Sequence, residues 1–347
     1  MSTNSKVRSF TLGLIVLLTL VFLGNAMPTF ALEKVVLRLN WIPWAMHTAF
    51  YTAAEKGFYG TEGLEVEIRP ASGATQGPLL VGSGSEHFGL GLTDIFINAK
   101  GNGVPVVAGS ADQPDTPLCI YSLKKTGIVK PADLIGKNLS HAQASSNRIL
   151  IDLALKAAGI DPNKIPRVEI PPGAEIPLML AGKIDAAEGF YYSAPVTLKD
   201  KGFETNQIIL RDLGLSMYGT VLYTSTQITQ KRPDLVEKFL RGTLNGLMYA
   251  YKHTNESVAY VLKFAPERSL PLEVEKLKKI FDLYRCPDYR EKGWGFMTDR
   301  KWASGISYLE KGGGFKDRSL KPSELFTNEF ITRVPESKQF ATMLFSE

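Results

Sequence analysis

The sequence of 347 residues has few of the side chains that most often carry enzyme chemistry or hold metals. It contains two cysteines, Cys119 and Cys286, and four histidines without the spacing of metal ligands. Phosphate-binding loops, the Gly-x-Ser-x-Gly nucleophile turn and the His-Glu-x-x-His zinc motif are absent. We therefore expect no metal, no cofactor and no enzyme. Two distant cysteines are no disulfide framework, and whether they pair stays open.

The chain also has little excess charge. Its formal net charge is +5, and Lys6 and Arg8 supply two of those charges in a segment that we expect to be removed. The +3 that then remains is too weak for a nucleic-acid-binding surface. We expect no nucleic-acid partner.

A long membrane-spanning run is missing as well. The apolar run Phe10–Leu23 has fourteen residues, whereas a helix needs roughly 20 to cross a bilayer. Basic residues precede this run, and a small-x-small cleavage site formed by Thr29 and Ala31 follows it, which is the pattern of a cleaved signal peptide. We predict a signal peptide over residues 1–31 and a soluble, exported protein, with the bacterial periplasm as the best fit. A retained membrane anchor is the alternative.

The rest of the chain contains an approximate internal repeat. "EKGFYGTEGLEVEI" and "KAAGIDPNKIPRVEI" both end a helix at a glycine (Gly57, Gly159) and then enter a strand. "LLVGSGSEHFGLGL" and "LMLAGKIDAAEGFYY" repeat the order of short helix, C-terminal glycine (Gly84, Gly182) and buried strand. Alternating strands and helices predict two related α/β lobes, each with a mostly parallel sheet flanked by helices.

Aromatic residues follow predicted strands in both lobes. The loop after the first strand (predicted Val35–Asn40) carries Trp41 and Trp44, and "EGFYYSAP" places aromatic residues after a strand of the second lobe. Ligands of such sheets bind outside the carboxyl ends of the strands. Two aromatic loops, one per lobe, are therefore predicted to close on a flat ring, although each is also explained as a lid over core.

Several polar residues near strand ends have two interpretations. His47 lies at the start of the first helix, where an imidazole caps or packs more often than it catalyses. Thr93 and Asp94 follow the strand Phe88–Leu92 and are either ligand groups or the N-cap of the next helix. Three polar residues begin a later helix, where they would cap it or present free N–H groups to a polar or anionic ligand; they are Ser145, Ser146 and Asn147.

Beyond residue 220 two long amphipathic helices are predicted as scaffold. One begins at Pro233 with an apolar stripe. The other, "PLEVEKLKKIFDLYRC", has Pro271 at its start and is predicted to carry its charges on its outer side. Trp294 and Trp302 follow in "KGWGFMTDRKW" and are interpreted as core or lid, with a pocket wall as the alternative for Trp294.

These stretches resemble a known family. "LNWIPWAMHTAFYTAAEKGFYGTEGLEVEI", "LVGSGSEHFGLG" and "WGFMTDRKWASGISYLEKGGG" are similar to extracytoplasmic proteins that bind thiamine pyrimidine precursors and to their sulfonate- and riboflavin-binding relatives. The resemblance implies a type II periplasmic binding protein that closes about a two-segment hinge. Its lobes would be residues 33–117 with 222–347, and residues 118–221. It also implies a small-molecule ligand, an ABC permease as partner and a monomer.

The same family contains a yeast-type enzyme that makes the thiamine pyrimidine from its own histidine and pyridoxal phosphate. The cysteine run of that enzyme aligns with residues 215–219, "LSMYG", which contain no thiol. Its cofactor lysine aligns near Gly91, and only His47 matches a histidine of the family in the first loop. The resemblance therefore favours a binding protein over a synthase.

The pocket departs from the pyrimidine binders in ways that leave the ligand open. Trp44 stands where they commonly carry Asn, and Glu188 and Ser193 flank the second aromatic loop. Glu188 or Asp94 would accept hydrogen bonds from an amino-substituted ring or lie at a solvated rim. A pyrimidine is favoured, with a flavin or a sulfonate as alternatives. The candidate ligand-binding residues are Asn40, Trp41, Trp44, His47, Thr93, Asp94, Ser145, Ser146, Asn147, Glu188, Phe190, Tyr191, Tyr192 and Tyr218.

Overall fold

The structure is a computed structural model that describes residues 31–71, 73, 75–142, 147–171, 173–312 and 319–346. The strands of these residues form two five-stranded sheets, in the orders β2-β1-β3-β10-β4 and β7-β6-β8-β5-β9. The strands of the first sheet are β1 (Glu33–Arg38), β2 (Leu64–Arg69), β3 (Phe88–Leu92), β4 (Val106–Ala111) and β10 (Thr220–Ser225). The strands of the second sheet are β5 (Leu118–Leu123), β6 (Leu139–Ala142), β7 (Arg167–Ile170), β8 (Ala186–Phe190) and β9 (Thr205–Ile209).

The internal repeat of the sequence corresponds to equivalent positions in the two sheets. Strands β2 and β3 of the first sheet and β7 and β8 of the second occupy the same places in the two orders. The glycines that precede them adopt the left-handed backbone conformation, with φ of 80° at Gly84 and 69° at Gly182. Glycine adopts such angles without steric penalty, which is why it ends the helix before each strand.

Each sheet contains one strand that runs antiparallel to its neighbours. β10 pairs antiparallel with β3 and β4, and β5 pairs antiparallel with β8 and β9, whereas β1 with β3 and β6 with β8 are parallel. The chain path explains this direction, because β5 and β10 each enter their sheet directly from the other sheet. The predicted α/β fold of two lobes is confirmed, and each mostly parallel sheet is mixed through one antiparallel strand. The predicted lobe boundary after residue 221 falls within β10.

Helices flank both sheets. In the first half of the chain they are α1 (Thr48–Glu55), α2 (Phe58–Thr61), α3 (Gln76–Gly82), α4 (Thr93–Gly101), α5 (Asn147–Ala157), α6 (Glu175–Leu180) and α7 (Ala194–Asp200). In the second half they are α8 (Thr226–Lys231), α9 (Pro233–Lys252), α10 (Thr254–Leu262), α11 (Leu270–Tyr284), α12 (Pro287–Lys292), α13 (Asp299–Lys311), α14 (Glu329–Arg333) and α15 (Glu336–Phe345). A short 3₁₀ turn, Ala45–His47, precedes α1.

The predicted scaffold helices are confirmed with one correction. α9 begins at Pro233 and buries an apolar stripe that includes Leu235 and Phe239. α11 also begins where proline predicted it, but its charges do not all face outward. Glu273 and Lys276 are buried, and the ion pair that they form at 2.7 Å offsets the cost of burying their charges.

The connections between the sheets bring one end of each sheet together. The first crossing segment, residues 112–117, runs from β4 to β5, and the second, residues 214–219, leads into β10. The backbone N–H of Thr116 donates to the Met217 carbonyl at 2.9 Å, which ties the two segments together. The carboxyl ends of β1, β3 and β8 face this junction, so the loops that follow these strands meet there.

Candidate functional site

The loop after β1 has one exposed indole and one buried indole. Trp41 is 37% exposed, whereas Trp44 is 7% exposed and packs in the first lobe's hydrophobic cluster. The two residues therefore do not form one surface. Trp44 lies at the lobe junction, which is the place predicted for a ligand-facing ring, while Trp41 is partly exposed to solvent.

His47 fixes the conformation of this loop. Its Nε2 lies 2.9 Å from Asn40 Oδ1, and its Nδ1 accepts the backbone N–H of Trp44 at 3.4 Å. Burial, and secondarily the Arg268 charge, lowers the pKa of His47 to about 3. The imidazole is therefore neutral near pH 7 with its proton on Nε2, and it has a structural role in this loop.

A buried acidic residue that sequence analysis missed anchors the same loop to α11. The backbone N–H of Ala45 donates to Glu273 Oε2 at 2.8 Å. Glu273 also pairs with Lys276 at 2.7 Å and with Arg268 at 3.5 Å. Its carboxylate therefore positions the residue next to Trp44.

The loop after β8 brings a second set of aromatic rings to the junction. Tyr192 is fully buried, and its ring centroid lies 5.9 Å from that of Trp44, with an interplanar angle of 31°. The ring centroids of Phe190 and Tyr191 lie 5.7 and 5.4 Å, respectively, from that of Tyr192. These four residues, which we call the aromatic cluster, come from both lobes.

The distance between Trp44 and Tyr192 limits how a flat ligand can bind. Stacked rings are separated by about 3.5 Å, so a ring placed between two others needs about 7 Å. The Trp44 and Tyr192 centroids are closer than that. A planar ligand therefore stacks on another face of the cluster or separates these two rings as it enters.

The first crossing segment contributes two buried polar residues that sequence analysis also missed. Asp112 accepts hydrogen bonds from the Thr220 hydroxyl at 2.7 Å and from the Tyr284 hydroxyl at 3.4 Å. Burial raises the pKa of Asp112 to about 7, against the smaller opposing effect of these two bonds. Gln113 Nε2 donates to the Tyr192 hydroxyl at 2.6 Å. Polar side chains therefore link this segment to the aromatic cluster.

Thr93 and Asp94 occupy the first turn of α4 and are buried. The interpretation of these residues as the N-cap is wrong, since Leu92 occupies that position. The Thr93 N–H and hydroxyl instead donate to the Gly219 carbonyl at 3.1 and 3.4 Å. Thr93 therefore ties α4 to the second crossing segment.

The remaining candidates lie in the second lobe. Glu188 is buried in β8, two residues before Phe190 and thus on the same face of the strand. Asn147 begins α5, as predicted. Ser145 and Ser146 lie outside the described residues, as does the predicted signal peptide except for its last residue, Ala31.

Tyr218 contacts α13 and its N-cap residue, Thr298. Its hydroxyl accepts the Thr298 N–H at 2.7 Å, and its ring lies 5.4 Å from that of Trp302. Burial raises its pKa to about 12. It packs in a different hydrophobic cluster from Trp44 and Tyr192. Trp294 and Trp302 are fully buried, in agreement with the core interpretation.

Neither thiol forms a disulfide, and Cys119 is buried. In the described part of the chain, no three His, Cys, Asp or Glu side chains are grouped so that they would hold a metal ion. The helices of that same part include none with the length and apolar character of a membrane span.

Two mixed five-stranded sheets joined by two crossing segments define a protein with the periplasmic-binding-protein fold. The aliphatic sulphonate-binding protein SsuA of Escherichia coli superimposes with a TM-score of 0.64 at 15% identity, over 87% of this chain and 92% of that one. A family model described as NMT1/THI5 like matches residues 44–257. The chain belongs to this family, as its resemblance predicted.

The relatives include proteins named as binding proteins and proteins named as enzymes. A formylaminopyrimidine-binding protein of Halalkalibacterium halodurans is 26% identical, over 81% of this chain and 86% of its own length. A riboflavin-binding protein of Chloroflexus aurantiacus is 23% identical, over 94% and 98%. A 4-amino-5-hydroxymethyl-2-methylpyrimidine phosphate synthase of Legionella pneumophila is 27% identical, over 88% and 94%.

Proposed function

We propose that this protein is the exported solute-binding component of an ABC importer and captures a small aromatic heterocycle, preferably an amino-pyrimidine. The observation that carries the proposal is the contact between Trp44 and Tyr192, which brings rings of the two lobes together at their junction. Flat aromatic surfaces with a few fixed polar groups are typical of small-molecule sites. The two lobes would open and close about the crossing segments to admit and hold the ligand.

The preference for an amino-pyrimidine has two supports. One is the name of the Halalkalibacterium relative. The other is chemical, because an amino-substituted ring offers N–H donors, and carboxylates such as Glu188 and Asp94 accept them. Both side chains are buried in this structure, which would strengthen such hydrogen bonds.

The alternative, a synthase that uses pyridoxal phosphate, fits this chain poorly. The family resemblance places the cofactor lysine near Gly91, and a Cβ at Gly91 would lie 2.8 Å from Tyr223 Cε1. No side chain fits there unless the tyrosine ring moves. We therefore expect that the protein as purified, without added cofactor, shows no aldimine absorbance that borohydride removes. Appearance of that band would contradict the non-enzymatic proposal.

The proposal is tested by thermal shift with a panel of ligands. The panel contains 4-amino-5-hydroxymethyl-2-methylpyrimidine, its formylaminomethyl analogue, thiamine, riboflavin and an alkyl sulfonate. A ligand that binds only the folded state adds about 2.7 kcal/mol at a hundredfold excess over Kd. We expect the largest shift with an amino-pyrimidine. A response to the sulfonate alone, or to none of the panel, would overturn the proposal, while the largest shift with riboflavin would change only the ligand.

A further inference from the structure

The Tyr192 hydroxyl is hydrogen-bonded from outside its own lobe. Gln113 Nε2 donates to it at 2.6 Å and also lies 3.3 Å from Met46 Sδ. Gln113 and Tyr192 are both fully buried. Burial raises the pKa of Tyr192 well above its usual value, so the hydroxyl stays neutral and accepts this bond. The same hydroxyl also lies 3.8 Å from Met46 Sδ.

The Gln113 side chain is itself fixed by the crossing segments. The backbone N–H of Gln113 donates to the Thr220 carbonyl at 3.1 Å, and its backbone carbonyl accepts the Gly219 N–H at 3.2 Å. A Cβ at residue 219 would lie only 2.4 Å from Gln113 Oε1. Glycine at 219 therefore leaves the space that the amide oxygen occupies, and the amide nitrogen is directed towards Tyr192.

We infer that Gln113 is a positioning residue, which holds the Tyr192 ring of the second lobe against the first lobe at the aromatic cluster. Its contribution to ligand affinity rests on the proposed function, whereas its contribution to holding the lobes together does not. Tyr192 touches Trp44, Phe190 and Tyr191, so displacement of its ring would disturb the whole cluster.

The inference is tested by a double-mutant cycle. Gln113→Leu, Tyr192→Phe and the double variant are titrated calorimetrically with 4-amino-5-hydroxymethyl-2-methylpyrimidine, or with riboflavin if that gives the larger thermal shift. Each single change removes the Gln113–Tyr192 hydrogen bond together with one weaker contact to Met46 Sδ, so we expect about three- to tenfold weaker binding. The double variant should bind about as weakly as either single variant, because both changes remove the same bond. Wild-type affinity in the single variants, or additive losses in the double, would overturn the inference.

Tyr59→Phe is the matched control. Its hydroxyl is also buried and lies 2.9 Å from Thr243 Oγ1, within the first lobe. We expect this change to lower the melting temperature without altering ligand affinity. A loss of affinity equal to that of Tyr192→Phe would show a merely structural effect and contradict the inference.

A measurement without ligand separates this inference from the proposed function. Small-angle X-ray scattering of the unliganded protein should give a larger radius of gyration for Gln113→Leu and Tyr192→Phe than for wild type and Tyr59→Phe. If the wild type binds none of the panel, the proposed function fails and the scattering alone decides the inference. An unchanged radius of gyration would then overturn it.

Discussion

The two loops of the aromatic cluster are held in place in different ways. In the first-lobe loop, His47 contacts Asn40 and the Trp44 backbone, and Glu273 of α11 accepts the Ala45 N–H. In the second-lobe loop, the Tyr192 hydroxyl instead accepts its hydrogen bond from Gln113 of the first crossing segment. One wall of the candidate site is therefore preformed, whereas the other depends on how the lobes meet.

The largest effect on stability is expected at Glu273, which anchors the first-lobe loop. Glu273→Ala removes the anchor of the first loop and leaves Lys276 buried without its partner. Loss of one member of a buried ion pair costs about 3–5 kcal/mol, and we expect a fall of this size in the free energy of unfolding, measured with urea.

Glu275→Ala on the same helix is its control. Glu275 pairs with Lys278 at 2.7 Å, but both side chains are more than half exposed. Exposed pairs contribute about 0–1 kcal/mol, so this variant should unfold almost like wild type. Equal losses in the two variants would show that Glu273 is not a special anchor.

The second prediction concerns Asp112, which lies between the two loops. Its folded-state pKa is about 7, above the ordinary value of about 4 in the unfolded chain. The folded protein therefore keeps a proton that the unfolded chain releases, and this residue lowers stability as pH rises from about 4 to 7. The upper bound of that loss is about 4 kcal/mol.

Asp112→Asn should remove this dependence. The variant keeps an oxygen for the Thr220 hydroxyl, and it should match wild type near pH 4 and exceed its free energy of unfolding near pH 8. The free energies of unfolding of the two proteins are compared at the same pH, because His47 contributes a pH dependence of the opposite sign. The pKa of His47 in the folded protein is about 3, so this residue raises stability as pH rises from about 3 to 6.5. A constant difference across the range would show that Asp112 does not titrate there.

The smallest effect on stability is expected at Trp41. It is 37% exposed, whereas Trp44 is buried. Trp41→Ala should change the free energy of unfolding by within about 1 kcal/mol, whereas Trp44→Ala should cost about 3–5 kcal/mol. If Trp41 also forms part of the ligand surface, as its loop position predicts, the same variant will bind the best ligand of the panel more weakly. Unfolding and titration curves of the two variants check both expectations, and a large loss of stability in Trp41→Ala would place this indole in the core.

The parts of this structure that sequence predicted are those with local signals. Helix, glycine and strand follow one another within a few residues, and the aromatic loops could be placed because they directly follow recognisable strands. Gln113 and Glu273 carried no such signal, since polar residues in a loop or a helix usually face water. Their burial depends on partners far along the chain, 79 residues from Gln113 to Tyr192 and 228 from Ala45 to Glu273.

For Tyr218, sequence analysis predicts a place near the junction but not the direction of the side chain. It belongs to the second crossing segment and so lies near the junction. Its ring, however, packs against Trp302, and its hydroxyl accepts the Thr298 N–H. Which side of a connecting segment faces the ligand depends on the helices that pack against it. That information is absent from the segment itself.

The most direct test of the central claim is a crystal structure of the protein with the ligand that gives the largest thermal shift. The account predicts that the ligand ring contacts Trp44 or Tyr192 and is covered by residues of both lobes. A groove of about 770 Å³ between the second sheet and α11 borders the cluster at Tyr191 and extends to Lys199 and Phe203. Ligand density confined to the part of that groove around Lys199 and Phe203, without contact to Trp44 or Tyr192, would contradict the account.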